Sequence, residues 1–340
     1  MRKLFFITGA GRCGTKLLTA LLDGNRNFHV FPHEATNFFI NSISENGLTN
    51  KIYPHSISKL SSIFLDEIKK NQFSNKNKIL YKLKFKLKKK FIYNKFIYLN
   101  EFLEIILNLL YKDKKPVVIS VHDENFLGLL DIFKNSMIIH MLRNPMTQVN
   151  SRYLFRYKKP QNYDGLEFSS SFYRNYNSFK NAYISLNDKR VLVVKMENLL
   201  KETKKEVKKI LSFMSFKFNK INLLTTKSGN LFDTIKYNFP KDKKRSNYIY
   251  NYKYDISCLL PDDIYVISKI KYVNFFYKIK KIKLQKQSFL NFYLRHLGFF
   301  GEDRSPIFNP WKIINISIYS IYLYFLDKNL KNKFLNYQNI

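Results

Sequence analysis

The chain alternates short apolar runs with segments of helical apolar spacing. Leu4 to Ile7 is a continuous apolar run of strand length, and Leu17, Leu18, Leu21 and Leu22 follow at the three- and four-residue spacing of an amphipathic helix. Val117 to Val121, Met137 to Leu142 and Val191 to Lys195 are further runs of buried-strand type. Helix-like segments lie around Ser151 to Tyr157 and Ser169 to Leu186. Strands alternating with helices predict an α/β fold with a parallel sheet flanked by helices. A ligand of such a sheet sits beyond the carboxyl ends of the strands.

Two regions break this rhythm. In residues 45–113 the run from Tyr81 to Lys112 first alternates apolar residues with lysine (Leu83, Phe85, Leu87), and Phe102 to Leu110 then takes helical spacing. The alternating part reads as a solvated basic helix or hairpin inserted between sheet elements, with an acceptor-binding lid or a membrane-surface contact as the alternatives. Near the end, Trp311 to Leu326 is aromatic and apolar but shorter than the roughly 18 to 20 residues that span a bilayer, so it reads as a packing or interfacial segment.

The turn between the first strand and helix carries the chemistry. Gly9, Gly11 and Gly14 let the backbone approach an anion, and the N–H groups and positive dipole end of the following helix would point at it. Arg12 and Lys16 add cations and Thr15 a hydroxyl. Gly9 and Gly14 have the separation of a nucleoside-triphosphate P-loop, but Thr15 precedes Lys16 where that loop has Lys before Ser or Thr. The transposition weakens a kinase or ATPase reading and leaves another nucleotide-binding strand-loop-helix open.

The order basic, small, Gly, Thr, Leu-Leu resembles the 5′-phosphosulfate loop of the sulfotransferases, whose donor is 3′-phosphoadenosine-5′-phosphosulfate (PAPS). Arg143 at a strand end and Ser151 eight positions later are similar to that family's pair for the 3′-phosphate. An arginine fork takes two phosphate oxygens, and a serine about two turns along a helix lies on the same side. Val191 to Phe216 resembles a third family segment, in which Glu197 reads as a structural turn acid. The family usually has a basic segment where Phe239 to Lys253 lies, so Arg245 or a neighbouring lysine is a further 3′-phosphate candidate.

The resemblance implies a P-loop-like sheet and a sulfuryl transfer from PAPS to a hydroxyl or amine, leaving adenosine 3′,5′-bisphosphate, with no metal required. The acceptor would be a carbohydrate or a lipid-linked hydroxyl. Gly11, Arg12, Cys13, Gly14 and Thr15 would form the 5′-phosphate cradle, with Arg12 also facing the departing oxygen, and Lys16, where relatives often have a second threonine, would help bind the sulfonate or point outward from the helix. Two residues compete as the base. Glu34, in FPHEAT, resembles the glutamate of tyrosylprotein and bacterial carbohydrate sulfotransferases, whereas His122 resembles the histidine of the small-molecule enzymes; Glu34 is placed first and His33 a distant third. The domain is expected over residues 1–272, with the basic insertion at 45–113 and an aromatic extension from 273 to 340.

Composition changes this picture little. The 59 Lys and Arg against 25 Asp and Glu give a formal charge of +34 over 340 residues, which favours acidic ligands or surfaces. The wealth of Asn, Ile, Phe and Tyr points to A/T-rich codons, so lysine content is not taken as a sign of nucleic-acid binding, and no nucleic-acid-reading motif accompanies it. The cysteines Cys13 and Cys258 cannot make a framework, and no secretory signal precedes the first strand. A cytoplasmic enzyme is expected, peripheral to the membrane as an alternative. The rival readings are a P-loop kinase or nucleotide-binding protein, and a non-catalytic basic protein that binds membranes or polyanions.

Overall fold

The structure, a computed structural model, describes residues 2–36, 39, 51–54, 76–122, 126–157, 165–227, 230–231, 256, 259, 264, 267–268 and 270–279. Arg245, Cys258 and the segment from Trp311 to Leu326 lie outside these residues, as does the side chain of His33. Its strands are β1 (Leu4–Thr8), β2 (His29–Glu34), β3 (Lys51–Ile52), β4 (Ile97–Tyr98), β5 (Val117–Val121), β6 (Met137–Leu142), β7 (Val191–Lys195), β8 (Thr226–Lys227) and β9 (Asn230–Leu231). Five of them form one sheet in the order β2-β5-β1-β6-β7, every pair parallel. The two short pairs, β3 with β4 and β8 with β9, are antiparallel.

The central position of β1 explains its composition. Each of its residues is buried, because helices cover both faces of a parallel sheet. Leu4 and Phe6 join one core with Phe102, Leu103, Ile106 and Leu107 of the helix Leu99–Leu110. Phe5 and Ile7, pointing the other way, join a second core with Leu18, Leu21 and Leu22 of α1 (Thr15–Leu22) and with Val207, Ile210 and Leu211. The strand alternation and the helix spacing thus serve the same two layers.

One sequence expectation needs correction, and one open choice is resolved. Strand β2 (His29–Glu34), at the edge of the sheet, is missing from the strand-type runs read in the sequence. Pro32 hides it: proline lacks a backbone donor and is confined to edges and bulges, and the register of β2 on β5 shifts between Val30 and Glu34. At Leu83, Phe85 and Leu87 the choice between helix and hairpin falls to the helix. Lys76–Tyr93 is a helix in which Leu83 and Leu87, one turn apart, are buried while Phe85 is exposed. Lysines at intervening positions mimic a period of two.

Contacts divide the chain into two units. Residues 1–143 with 177–253 hold the sheet and both cores. The second unit comprises 144–176 and 254–340; in it Asn175 donates to Gln148 and Tyr176 meets Tyr272 edge-on. Among the described residues no helix is long and apolar enough to cross a membrane.

Candidate active site

Because all five sheet strands run the same way, their carboxyl ends share one edge. The loop after β1, the residues after Glu34, His122 after β5, Arg143 after β6 and Met196 after β7 all leave the sheet there. The β1 loop is tightly wound. Gly9 has φ 149°, Arg12 has φ 71° and Gly14, the N-cap of α1, has φ 95°. A Cβ on Gly9 would come within 2.5 Å of Cys13 Sγ and 2.6 Å of the Met141 carbonyl oxygen, distances no side chain tolerates. Glycine is therefore required at position 9 for space as well as for conformation.

The cradle residues divide by what their side chains do. Cys13 is buried; its N–H donates to the Ala10 carbonyl at 3.3 Å, and burial pushes its thiol up to about 12. The thiol therefore packs rather than reacts. Among the described residues no side chain caps α1, whose N-terminus faces the same edge. Arg143 donates through Nη1 to the Arg12 carbonyl at 3.0 Å, tying the end of β6 to the loop. The Arg12 guanidinium is held below its usual pKa, first by burial and then by the nearby charge of Arg143. Two cations kept together in a half-buried place are what a dianionic ligand would relieve.

The two competing base candidates turn out to be neighbours. His122 Nε2 lies 2.7 Å from Glu34 Oε1 and 2.6 Å from the Thr15 hydroxyl, so the imidazole stands between the acid and the phosphate loop. Lys16 Nζ, largely exposed, is 3.7 Å from the same Glu34 oxygen. Strands β2 and β5 are adjacent in the sheet, which is why their carboxyl-terminal residues meet. Thr36 escaped the sequence reading: its Oγ1 accepts the His122 backbone N–H at 2.8 Å and fixes where the strand hands over to the site. Its place two residues beyond Glu34, in FPHEAT, was the only signal for it.

Ser151 stands in the helix Pro145–Tyr157 of the second unit. Glu197 lies in the first turn of the helix Met196–Lys201. Among the described residues there is no group of three or more His, Cys, Asp or Glu side chains placed to hold a metal ion.

The family model described as "Sulfotransferase family" matches residues 5–220, a span that includes the β1 loop, Glu34, His122 and Arg143. The chain belongs to the sulfotransferase family. No curated protein matches it in sequence. Among solved structures, the sulfotransferase is similar to the sulfotransferase domain of the Synechococcus PCC 7002 olefin synthase, with 13% identity over 87% of this chain and 94% of that one and a TM-score of 0.45. It is also similar to the sulfotransferase domain of the curacin biosynthetic pathway, with 13% identity over 86% and 96% and a TM-score of 0.43. A mouse sulfotransferase complexed with PAP shares 14% identity over 79% of this chain and 82% of its own, with a TM-score of 0.42.

Proposed function

We propose that this sulfotransferase moves a sulfuryl group from PAPS to a hydroxyl of a carbohydrate or lipid-linked acceptor, an amine being the lesser alternative. The observation that carries the reading is the meeting of Glu34, His122 and Thr15 beside the β1 loop. A proton-accepting group beside an anion cradle is the combination that transfer to a hydroxyl needs, and this supports the reading.

The residues fit the donor. The tightly wound loop leads into the N-terminus of α1, which favours an anion, and Arg12 with Arg143 supplies charge for phosphates. PAPS, when bound, supplies a sulfuryl group on a good leaving group. Arg12 is assigned to the 5′-phosphate and to the negative charge that develops during transfer, and the backbone from Gly11 to Thr15 to the same phosphate. Arg143 is assigned to the 3′-phosphate; Ser151 and Arg245 keep the same assignment on sequence grounds.

Glu34 and His122, 2.7 Å apart, are assigned together as the base that takes the acceptor proton. Lys16 adds a largely exposed cation next to Glu34. A cytoplasmic location and independence from metal complete the reading.

Thermal-shift titration with adenosine 3′,5′-bisphosphate, followed by a labelled-PAPS screen of hydroxyl acceptors, tests it. Stabilisation by the bisphosphate and label transfer are expected. Stabilisation by ATP with magnesium but not by the bisphosphate would overturn the reading in favour of a P-loop kinase.

A further inference from the structure

The helix Lys76–Tyr93 is charged far beyond what its packing needs. It carries eight lysines and no acidic residue. Its inner side is accounted for: Leu83 and Leu87 are buried in the core shared with the helix Leu99–Leu110, and Lys90 reaches Glu101 of that helix at 3.7 Å. At 3.6 residues per turn, Tyr81, Lys82, Phe85, Lys86, Lys89 and Tyr93 fall within an arc of about 140° on the opposite side. All six are exposed.

The aromatic residues on that arc are what a merely solvated face would lack. Tyr81 is 72% exposed, Phe85 52% and Tyr93 86%, and Tyr81 and Phe85 stand one turn apart as a ridge. Lys89 lies over the Phe85 ring, with Nζ 5.0 Å from its centroid. The chain then passes directly into β4, where the pattern continues: Lys51 Nζ sits 4.5 Å over Phe96, and Tyr53 and Tyr98 are exposed beside it.

From this juxtaposition we propose that the outer face of Lys76–Tyr93, with the β3-β4 ribbon, docks the protein on an anionic lipid bilayer. Lysines attract anionic headgroups and extend their amines to the phosphate level, while a ridge of Tyr and Phe enters the boundary between headgroups and acyl chains. A soluble polyanion would use the lysines but would give little reason for a half-exposed Phe85 at mid-helix. The anchored inner side, Leu83 and Leu87, means that the face is presented already folded, without the ordering cost that a free amphipathic peptide meets on binding. This inference does not depend on the transfer reaction.

Co-sedimentation of the full chain with vesicles of phosphatidylcholine, with and without phosphatidylglycerol, tests it at low and high salt. Binding should require phosphatidylglycerol and weaken with salt. Each lysine near a charged membrane is worth about fivefold in binding, so Lys82→Glu, Lys86→Glu and Lys89→Glu together should weaken it about 100-fold or more. Tyr81→Ser with Phe85→Ser should weaken it about tenfold, and both variants should keep the wild-type melting temperature because the altered side chains are exposed. Absence of binding by the unaltered chain, or equal binding to phosphatidylcholine alone, overturns the proposal. So does full binding by the Tyr81→Ser, Phe85→Ser variant when the lysine variant has lost it, which would assign the face to a soluble polyanion.

Discussion

His122 Nε2 stands 2.7 Å from Glu34 Oε1, across the boundary between the adjacent strands β5 and β2. Residues 88 positions apart in sequence thus come to lie side by side. His122→Asn and Glu34→Gln should each lower kcat strongly, within the range of about 10²–10⁴ that base assistance contributes, with little change in bisphosphate affinity. The double variant should cost much less than the product of the two, because groups that act as a unit are not additive. Fully multiplicative losses in steady-state assays would mean that the two side chains work separately.

Arg143 is expected to matter for donor affinity more than for chemistry. Arg143→Ala removes a charged fork and also the bond that holds the Arg12 carbonyl. A hydrogen bond to a charged group is worth about 1.5–3 kcal/mol, so bisphosphate binding measured by calorimetry should weaken roughly tenfold or more. Ser151→Ala should weaken it less. Unaltered affinity in Arg143→Ala would remove this residue from the donor site.

Arg12→Ala should instead lower kcat beyond any rise in the donor KM, since a cation aimed at developing charge acts most in the transition state. A change confined to KM would make Arg12 a binding residue only.

Gly9→Ala tests the loop itself. The added methyl meets Cys13 Sγ and the Met141 carbonyl, and φ of 149° is unfavourable for alanine, so a stability loss of about 1–3 kcal/mol with loss of donor binding is expected by denaturant titration. Wild-type stability and binding would show that the loop can relax at no cost.

His140 sets a pH dependence away from the site. Fully buried between the Thr8 and Ser178 hydroxyls, each 2.8 Å from a ring nitrogen, it has its pKa driven down to about 3 by burial, which the bond to Ser178 only partly opposes. The unfolded chain takes up this proton near pH 6.5 while the native chain stays neutral, so stability is complete above about 6.5 and declines as pH falls toward 3. The slope approaches about 1.4 kcal/mol per pH unit in that window. Denaturation at about pH 6 and pH 5, where most carboxylates remain charged, should show it, and His140→Gln should flatten the slope. An equal slope in both proteins would contradict the assignment.

What the sequence by itself determined is what lies close along the chain. Strand β1, its glycine loop and α1 are contiguous, and their function requires only local backbone freedom at Gly9 and Gly14 with apolar spacing on either side, so pattern and spelling sufficed. The same holds for β5, β6 and β7, whose burial on both faces demands unbroken apolar runs, and for Arg143 at the end of one of them. Tertiary structure alone decided three things. Strand β2 forms despite Pro32 because it lies at the sheet edge, where a missing donor can be borne. Leu83 and Leu87 rather than Phe85 face the core because the helix Leu99–Leu110 lies beneath them. The meeting of Glu34, His122 and Thr15 follows from the strand order, since three loops widely separated in sequence converge only when β2, β5 and β1 lie side by side. Strand order depends on long-range packing, and no local spacing encodes it.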